Sequence, residues 1–314
     1  MIEKVAVIGG GFVGATAAQR IAEKELADVV LVDILEGIPQ GKSLDMLQSG
    51  PVEGFDSNVV GTNDYKDIEG AKAIVVTAGL PRKPGMSRED LVKTNAKIMT
   101  DVCENIKKYA PEAAVICVTN PLDVMTYVAY RVTGFKPNKV MGMAGVLDTA
   151  RYRTFLAREI GVSVEDIQAM VLGGHGDDMV PIIDYTTVSG IPVKKLLSQD
   201  KIDAIVQRTR KGGGEIVNLL KTGSAYYAPS ASAVQMLEAI LKDKKRLLPV
   251  AALLNGEYGI KDAYAGVPVI LGKNGVEKII ELDLCEDDRK LLEKSANVIH
   301  ENIAKLDLPA PSKV

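Results

Sequence analysis

One segment near the N-terminus narrows the possible folds more than any other. An apolar run from Lys4 to Ile8 leads into Gly9-Gly10-Gly11-Phe12-Val13-Gly14, then into the helix-favouring Ala15-Thr16-Ala17-Ala18, and a second apolar run ends at Asp33. The Val and Ile content of the first run predicts a strand, and Phe12 to Glu25 predicts a helix. Gly9, Gly11 and Gly14 satisfy the pattern GxGxxG. Lacking side chains, they let the turn close and let a pyrophosphate approach backbone N–H groups at a helix N-terminus. Alone, six such residues make nothing more than a tight turn. The apolar strand before them, the helix after them and an acidic residue 22 positions beyond Gly11 point to a dinucleotide site. Asp33 is placed to accept hydrogen bonds from the adenosine ribose, and the extra phosphate of NADP would face its negative charge, so NAD is the expected cofactor.

The strand–helix rhythm continues with a strand over Ala27 to Asp33, a helix over Ile38 to Leu47, a short strand at Val59 to Thr62 and another at Ala73 to Ala78. A helix over Arg88 to Tyr109, a strand over Ala113 to Thr119 and a helix over Leu122 to Val132 follow. Apolar strands without polar alternation belong to a parallel sheet covered on both faces, so the fold class is α/β with an N-terminal Rossmann-type sheet. The pattern pauses at Thr133-Gly134-Phe135-Lys136-Pro137 and is less regular afterwards. Helices are expected at Asp148 to Glu159, Asp203 to Leu220, Ala231 to Lys242 and Asp287 to Lys305. This divides the chain into residues 1–144 and 145–314.

Charge and cysteine content remove several function classes. The 314 residues carry 38 Lys plus Arg against 41 Asp plus Glu, a formal net charge of −3, which gives no basic footprint for nucleic acid. Apolar runs stay near five to eight residues, short of the roughly 20 that cross a bilayer as a helix. Cys103, Cys117 and Cys285 are widely spaced and form no CxxC pair, which argues against a disulfide framework or a thiolate zinc cluster. A soluble cytoplasmic protein without secretory signal, metal or membrane partner is the expectation.

Proton chemistry has two histidine candidates. His300 lies in the C-terminal helix, where surface packing accounts for it. His175 sits in the glycine-bracketed turn Gly173-Gly174-His175-Gly176-Asp177 after an apolar stretch; an imidazole there accepts or returns a proton near neutral pH, although a structurally bonded histidine fits the turn equally well. Asp148 and Arg151, three apart at a helix start, suit either a functional pair or an ordinary cap with an ion pair. Arg82 and Arg88, six apart in Gly-Leu-Pro-Arg-Lys-Pro-Gly-Met-Ser-Arg, suit anion capture or a solvated loop. The basic run Lys242 to Arg246 reads as a solvated helix end, and Gly212-Gly213-Gly214 as a place of close packing or helix irregularity.

Taken in order, GGGFVG at 9 to 14, Asp33, GLPRKPGMSR at 79 to 88, VTNP at 118 to 121, LDTAR at 147 to 151 and GGHGD at 173 to 177 closely resemble the lactate/malate dehydrogenase family, over nearly the whole chain. The resemblance implies an NAD-binding domain followed by a mixed α+β catalytic domain, with substrate between them. By that resemblance His175 exchanges the proton and Asp148 orients it, Arg151 clamps the substrate C1 carboxylate, Arg88 polarises the carbonyl, and Asn120 orients its oxygen. Asn95 and Thr119 border cofactor or substrate. Arg82 meets the second carboxylate of malate or oxaloacetate, where lactate-specific members commonly carry neutral Gln. The resemblance thus implies an NAD-dependent malate dehydrogenase, assembled as a homotetramer or homodimer, with a lactate or other 2-hydroxyacid dehydrogenase as the nearest alternative. A nucleotide-binding scaffold without catalysis is the alternative of a different class.

Overall fold

The structure, a computed structural model, describes residues 3–81 and 87–308, with Arg88 described by its main chain alone. The N-terminal half runs β1 (Lys4–Ile8), α1 (Phe12–Glu23), β2 (Asp28–Val32), α2 (Ile38–Glu53), β3 (Val59–Thr62), β4 (Ala73–Val76), α3 (Arg88–Tyr109), β5 (Ala114–Cys117), α4 (Leu122–Thr133) and β6 (Val140–Gly142). The remainder runs α5 (Gly145–Ile160), the two-residue strands β7 (Ile167–Gln168), β8 (Val171–Leu172), β9 (Val180–Pro181), β10 (Thr187–Val188) and β11 (Ile191–Pro192), then α6 (Gln199–Leu220), α7 (Tyr227–Leu241), β12 (Arg246–Asn255), β13 (Lys261–Gly272), β14 (Gly275–Ile279) and α8 (Glu286–Ile303).

The first six strands are parallel in the order β3-β2-β1-β4-β5-β6, a doubly wound sheet that bears out the Rossmann-type class expected from the sequence and adds β6 to the five strands read there. The chain leaves β1 toward β2 and β3 on one side and returns to β4 on the other. A crevice therefore opens beyond the carboxyl ends of β1 and β4, and the glycine turn begins there. Alternation along the strands feeds two cores. Val5, Val7, Leu31 and Val75 pack with Ala17, Ile21 and α7, while Ala6, Ile8, Val32 and Val76 pack with Met99, Ile106 and α4. Each fully buried Val or Ile contributes about 1.5–3 kcal/mol, so burial on both faces holds β1, β2 and β4 firmly in place.

The sheet does not stop at β6. β12 pairs antiparallel with it through Ala251 and Gly142, and the long β12–β13 hairpin, with β14 outside it, extends the sheet to nine strands. This hairpin was not legible beforehand, because Leu248 to Leu254 and Ala263 to Leu271 are apolar runs without period-2 alternation and are buried on both faces.

Helix bounds also shift. α2 continues six residues beyond Leu47 through Pro51 and ends at Gly54, whose φ of 84° supplies the left-handed cap. α5, α6 and α7 each begin three or four residues earlier than expected. The basic run forms the α7–β12 turn, where Lys244 meets Glu238 at 2.6 Å and Lys245 meets Glu277. It is a solvated, charge-paired turn, as its composition suggested.

Candidate active site

The glycine turn is built for close approach. α1 is capped by Gly11, with no side-chain hydrogen bond to its first turn, which leaves that turn's N–H groups for a ligand. A Cβ on Gly11 would meet nothing within 4 Å, whereas one on Gly14 would lie 1.8 Å from the Gly9 carbonyl oxygen. The first leaves room above the turn and the second lets α1 pack down onto β1. Asp33, just past β2, accepts from Gly10 N at 2.6 Å through Oδ2 and from Leu35 N at 2.9 Å through Oδ1. It anchors the turn, and its oxygens keep lone pairs for a ribose hydroxyl. An open glycine, uncapped helix N–H groups and an acidic residue beside them fit a dinucleotide without a 2′-phosphate.

Opposite the turn, Asn95 on α3 is buried and bonded entirely to main chain. Its Oδ1 accepts from Leu80 N at 2.9 Å, and its Nδ2 donates to Leu80 O at 3.1 Å and to Asn120 O at 2.7 Å. Thr119 Oγ1 donates to Ala78 O at 2.7 Å. Both residues hold the strand ends at the crevice. Asn95 ties the start of the 79–88 loop to the segment carrying Asn120, whose residue is exposed. At the far end of that loop, Ser87 and Asp90 form a reciprocal cap on α3. Arg82 and the side chain of Arg88 lie outside the described residues.

Tertiary structure joins what the sequence leaves 27 residues apart. Asp148, on the first turn of α5 and 1% exposed, places Oδ2 2.8 Å from His175 Nδ1 and receives Arg151 Nη1 on Oδ1 at 3.1 Å. One carboxylate orients both the imidazole and the guanidinium. Burial disfavours charge on His175, but the charge of Asp148 and its hydrogen bond outweigh that, and the imidazole pKa stands above its ordinary value; Arg151 opposes the rise and Asp123 adds to it. With Nδ1 bonded to Asp148, Nε2 is the nitrogen left to exchange a proton.

The His175 turn is held from several sides. Gly173 forms a two-bond bridge to Gly266 of β13, with Gly173 N donating at 2.8 Å and Gly266 N at 2.9 Å. Gly174 N donates to Ser295 Oγ of α8 at 2.6 Å, and His175 N donates to Asp123 Oδ2 of α4 at 2.8 Å. Neither Asp123 nor Ser295 was singled out in the sequence, although Asp123 stands three residues after Asn120. The Gly212-Gly213-Gly214 run lies inside α6, against Arg151: a Cβ on Gly212 would sit 3.1 Å from Arg151 Cδ. It is a close-packing feature. His300 bonds the Lys261 carbonyl from α8 at 2.9 Å and takes no part in this cluster.

Sequence comparison agrees with this geometry. Residues 3–142 match the lactate/malate dehydrogenase NAD-binding domain, and residues 145–307 match the lactate/malate dehydrogenase α/β C-terminal domain. A malate dehydrogenase of Roseiflexus sp. strain RS-1 is 62% identical over 306 residues, covering 98% of this chain and 99% of that protein. Among solved structures, the apo malate dehydrogenase of Picrophilus torridus superposes with a TM-score of 0.95 at 49% identity, covering 97% of each chain. The lactate dehydrogenase of Cryptosporidium parvum, in complex with lactic acid and nicotinamide adenine dinucleotide, superposes with a TM-score of 0.94 at 48% identity, covering 97% of this chain and 98% of that one.

Proposed function

Since the chain belongs to the lactate/malate dehydrogenase family, we propose that it catalyses the reversible NAD-dependent oxidation of (S)-malate to oxaloacetate. The observation that carries the 2-hydroxyacid dehydrogenase chemistry is the single buried carboxylate of Asp148 holding His175 and Arg151 at 2.8 and 3.1 Å, a proton carrier and a carboxylate-binding cation kept in fixed register; the choice of malate is supported by Arg82 and by the 62% identity to a malate dehydrogenase.

In oxidation, His175 Nε2 takes the C2 hydroxyl proton while Asp148 stabilises the imidazolium that forms. Bound NAD supplies the nicotinamide ring that takes hydride from C2, with Gly9, Gly11, Gly14 and Asp33 holding the nucleotide and Asn95 and Thr119 keeping the strand ends in place. Arg151 pairs with the C1 carboxylate, and its flank on Gly212 limits where the guanidinium can go. Asn120 orients the C2 oxygen and Arg88 stabilises charge on it. Arg82 pairs with the C4 carboxylate, and without that partner it would be desolvated and unpaired, which makes lactate a poor substrate. Residues 1–144 form the NAD-binding part and 145–314 the substrate-binding and catalytic part.

α2 leaves Leu44 and Leu47 exposed one turn apart on one face, an apolar pair that supports assembly as a homodimer or homotetramer, which light scattering on the purified chain resolves. Among the described residues no helix is long and apolar enough to cross a membrane, in keeping with a cytoplasmic location.

A spectrophotometric panel of malate and lactate with NAD and NADP tests the reading; the largest turnover is expected with malate and NAD. In the same panel Arg82→Gln lowers malate kcat/KM by about 100-fold or more, the scale of breaking a buried charge pair, and leaves NADH affinity unchanged. Equal malate turnover before and after the substitution overturns the assignment of Arg82.

A further inference from the structure

The carboxylate of Asp123 belongs to none of the roles above, yet it is 6% exposed and bonded to the main chain of His175. It stands second in α4, immediately after the segment that carries Asn120, and the helix N-terminus favours its negative charge. Its Oδ2 accepts from His175 N at 2.8 Å, while Oδ1 is buried with no hydrogen-bond partner among the described residues. A structural tether needs one acceptor oxygen and no charge. A buried carboxylate with one oxygen unpartnered is a costly way to hold a turn that Ser295 and Gly266 already hold.

Resting on the malate dehydrogenase reading, we propose that Asp123 is a positioning residue of the proton-transfer turn: it locks the His175 main chain to the helix turn beside Asn120, and its charge supports the imidazolium alongside that of Asp148. The local sequence permits the approach, since a Cβ at Gly174 would stand 3.4 Å from Asp123 Oδ2 and 2.8 Å from Ser295 Oγ. The charged groups around the pair are Asp148 and Arg151 of α5; α8 presents the neutral Ser295 hydroxyl and Ile299. Burial raises the Asp123 carboxyl to about 6, against the pull of the His175 N–H and imidazole, so the charge is in place at neutral pH and is lost on moderate acidification.

Two substitutions separate charge from tether. Asp123→Asn keeps a carbonyl oxygen for His175 N and removes the charge. It is expected to keep its melting temperature near the wild-type value at pH 8 and to bind NADH normally. The imidazole titration of His175, followed by NMR, moves to lower pH, and so does the fall of oxaloacetate reduction with rising pH. Asp123→Ala removes the tether as well and is expected to lower kcat at least about tenfold with NADH affinity unchanged, the scale of losing a hydrogen bond to a charged group. A His175 titration and pH profile in Asp123→Asn identical to wild type overturn the proposal, whether or not Asp123→Ala folds. The NMR titration needs no turnover, so it tests Asp123 even if the wild-type enzyme fails to oxidise malate, an outcome that would instead overturn the function proposed above.

Discussion

Replacing Asp148 with Asn interrogates the proton relay at its centre. The substitution keeps the side chain's shape and one carbonyl oxygen, and it deletes the charge that stands 2.8 Å from His175 Nδ1 and 3.1 Å from Arg151 Nη1. A hydrogen bond to a charged partner contributes about 1.5–3 kcal/mol and a neutral one about 0.5–1.5, so the His175 contact alone loses about 1–2 kcal/mol of support for the imidazolium. At about 1.4 kcal/mol per tenfold, this is a loss of about 5- to 30-fold in kcat/KM for oxaloacetate reduction. Two features of the geometry enlarge it. Arg151 loses its partner on the same carboxylate, which raises KM. If the amide turns its NH2 toward His175, Nδ1 must accept and Nε2 carries the hydrogen, a wrong tautomer that costs on the order of 10⁴-fold in a Ser-His-Asp triad.

The same substitution has a signed pH effect. In the wild type the His175 pKa is raised, because Asp148 outweighs burial. Reduction uses the imidazolium and falls as pH rises through that raised value; oxidation uses the neutral ring and rises there. Stability follows the same sign: this group's contribution is fully present below the unfolded histidine pKa of about 6.5 and is lost as pH rises through the folded one. Asp148→Asn moves each of these transitions to lower pH. The assay is nicotinamide absorbance across pH in both directions, paired with NMR of the imidazoles. With His175 and His300 the only two histidines, one further substitution at His300 assigns both signals. A variant whose kcat/KM stays within about twofold of wild type, with the pH profile unmoved, would refute the relay.

Two other substitutions test the scaffold around the crevice. Gly14→Ala places a methyl 1.8 Å from the Gly9 carbonyl oxygen and 2.8 Å from Thr77 Oγ1, so α1 must lift from β1; a stability loss of about 1–3 kcal/mol or more and weakened NADH fluorescence enhancement are expected, and a wild-type melting temperature with wild-type NADH binding would contradict the packing argument. Asn95→Ala breaks three main-chain bonds, to Leu80 N, Leu80 O and Asn120 O, and should cost about 2–4 kcal/mol by chemical denaturation while raising KM for oxaloacetate more than for NADH. An unchanged denaturation midpoint would show that Asn95 does not hold the loop base.

Several parts of the site could be read directly from residues. The turn from Gly9 to Gly14 announces itself because its demands are local: a positive φ of 106° at Gly9, a helix capped by Gly11 and an acidic residue just past the end of the next strand. Asp148 and Arg151 meet for the same reason, since i and i+3 share a helix face. Asn95 was visible only through the family resemblance, which placed it at the border of cofactor or substrate, and its role at the base of the loop came from tertiary hydrogen bonds to main chain. Asp123 had no distinguishing signal, because an acidic residue in the first turn of a helix is ordinary capping chemistry until its long-range partner is known.

Local covalent order determined the strands β1 to β5, the glycine turn, the charge balance and the identity of each reactive group, because those depend on neighbours within about one helical turn. Chain folding decided that β13 and α8 would close on Gly173 and Gly174, that Asp148 would face His175, and that Asp123 would hold its main chain from 52 residues away. Those choices come from burying both faces of a nine-stranded sheet at once. That is a property of the packed core, carried by no single stretch of residues.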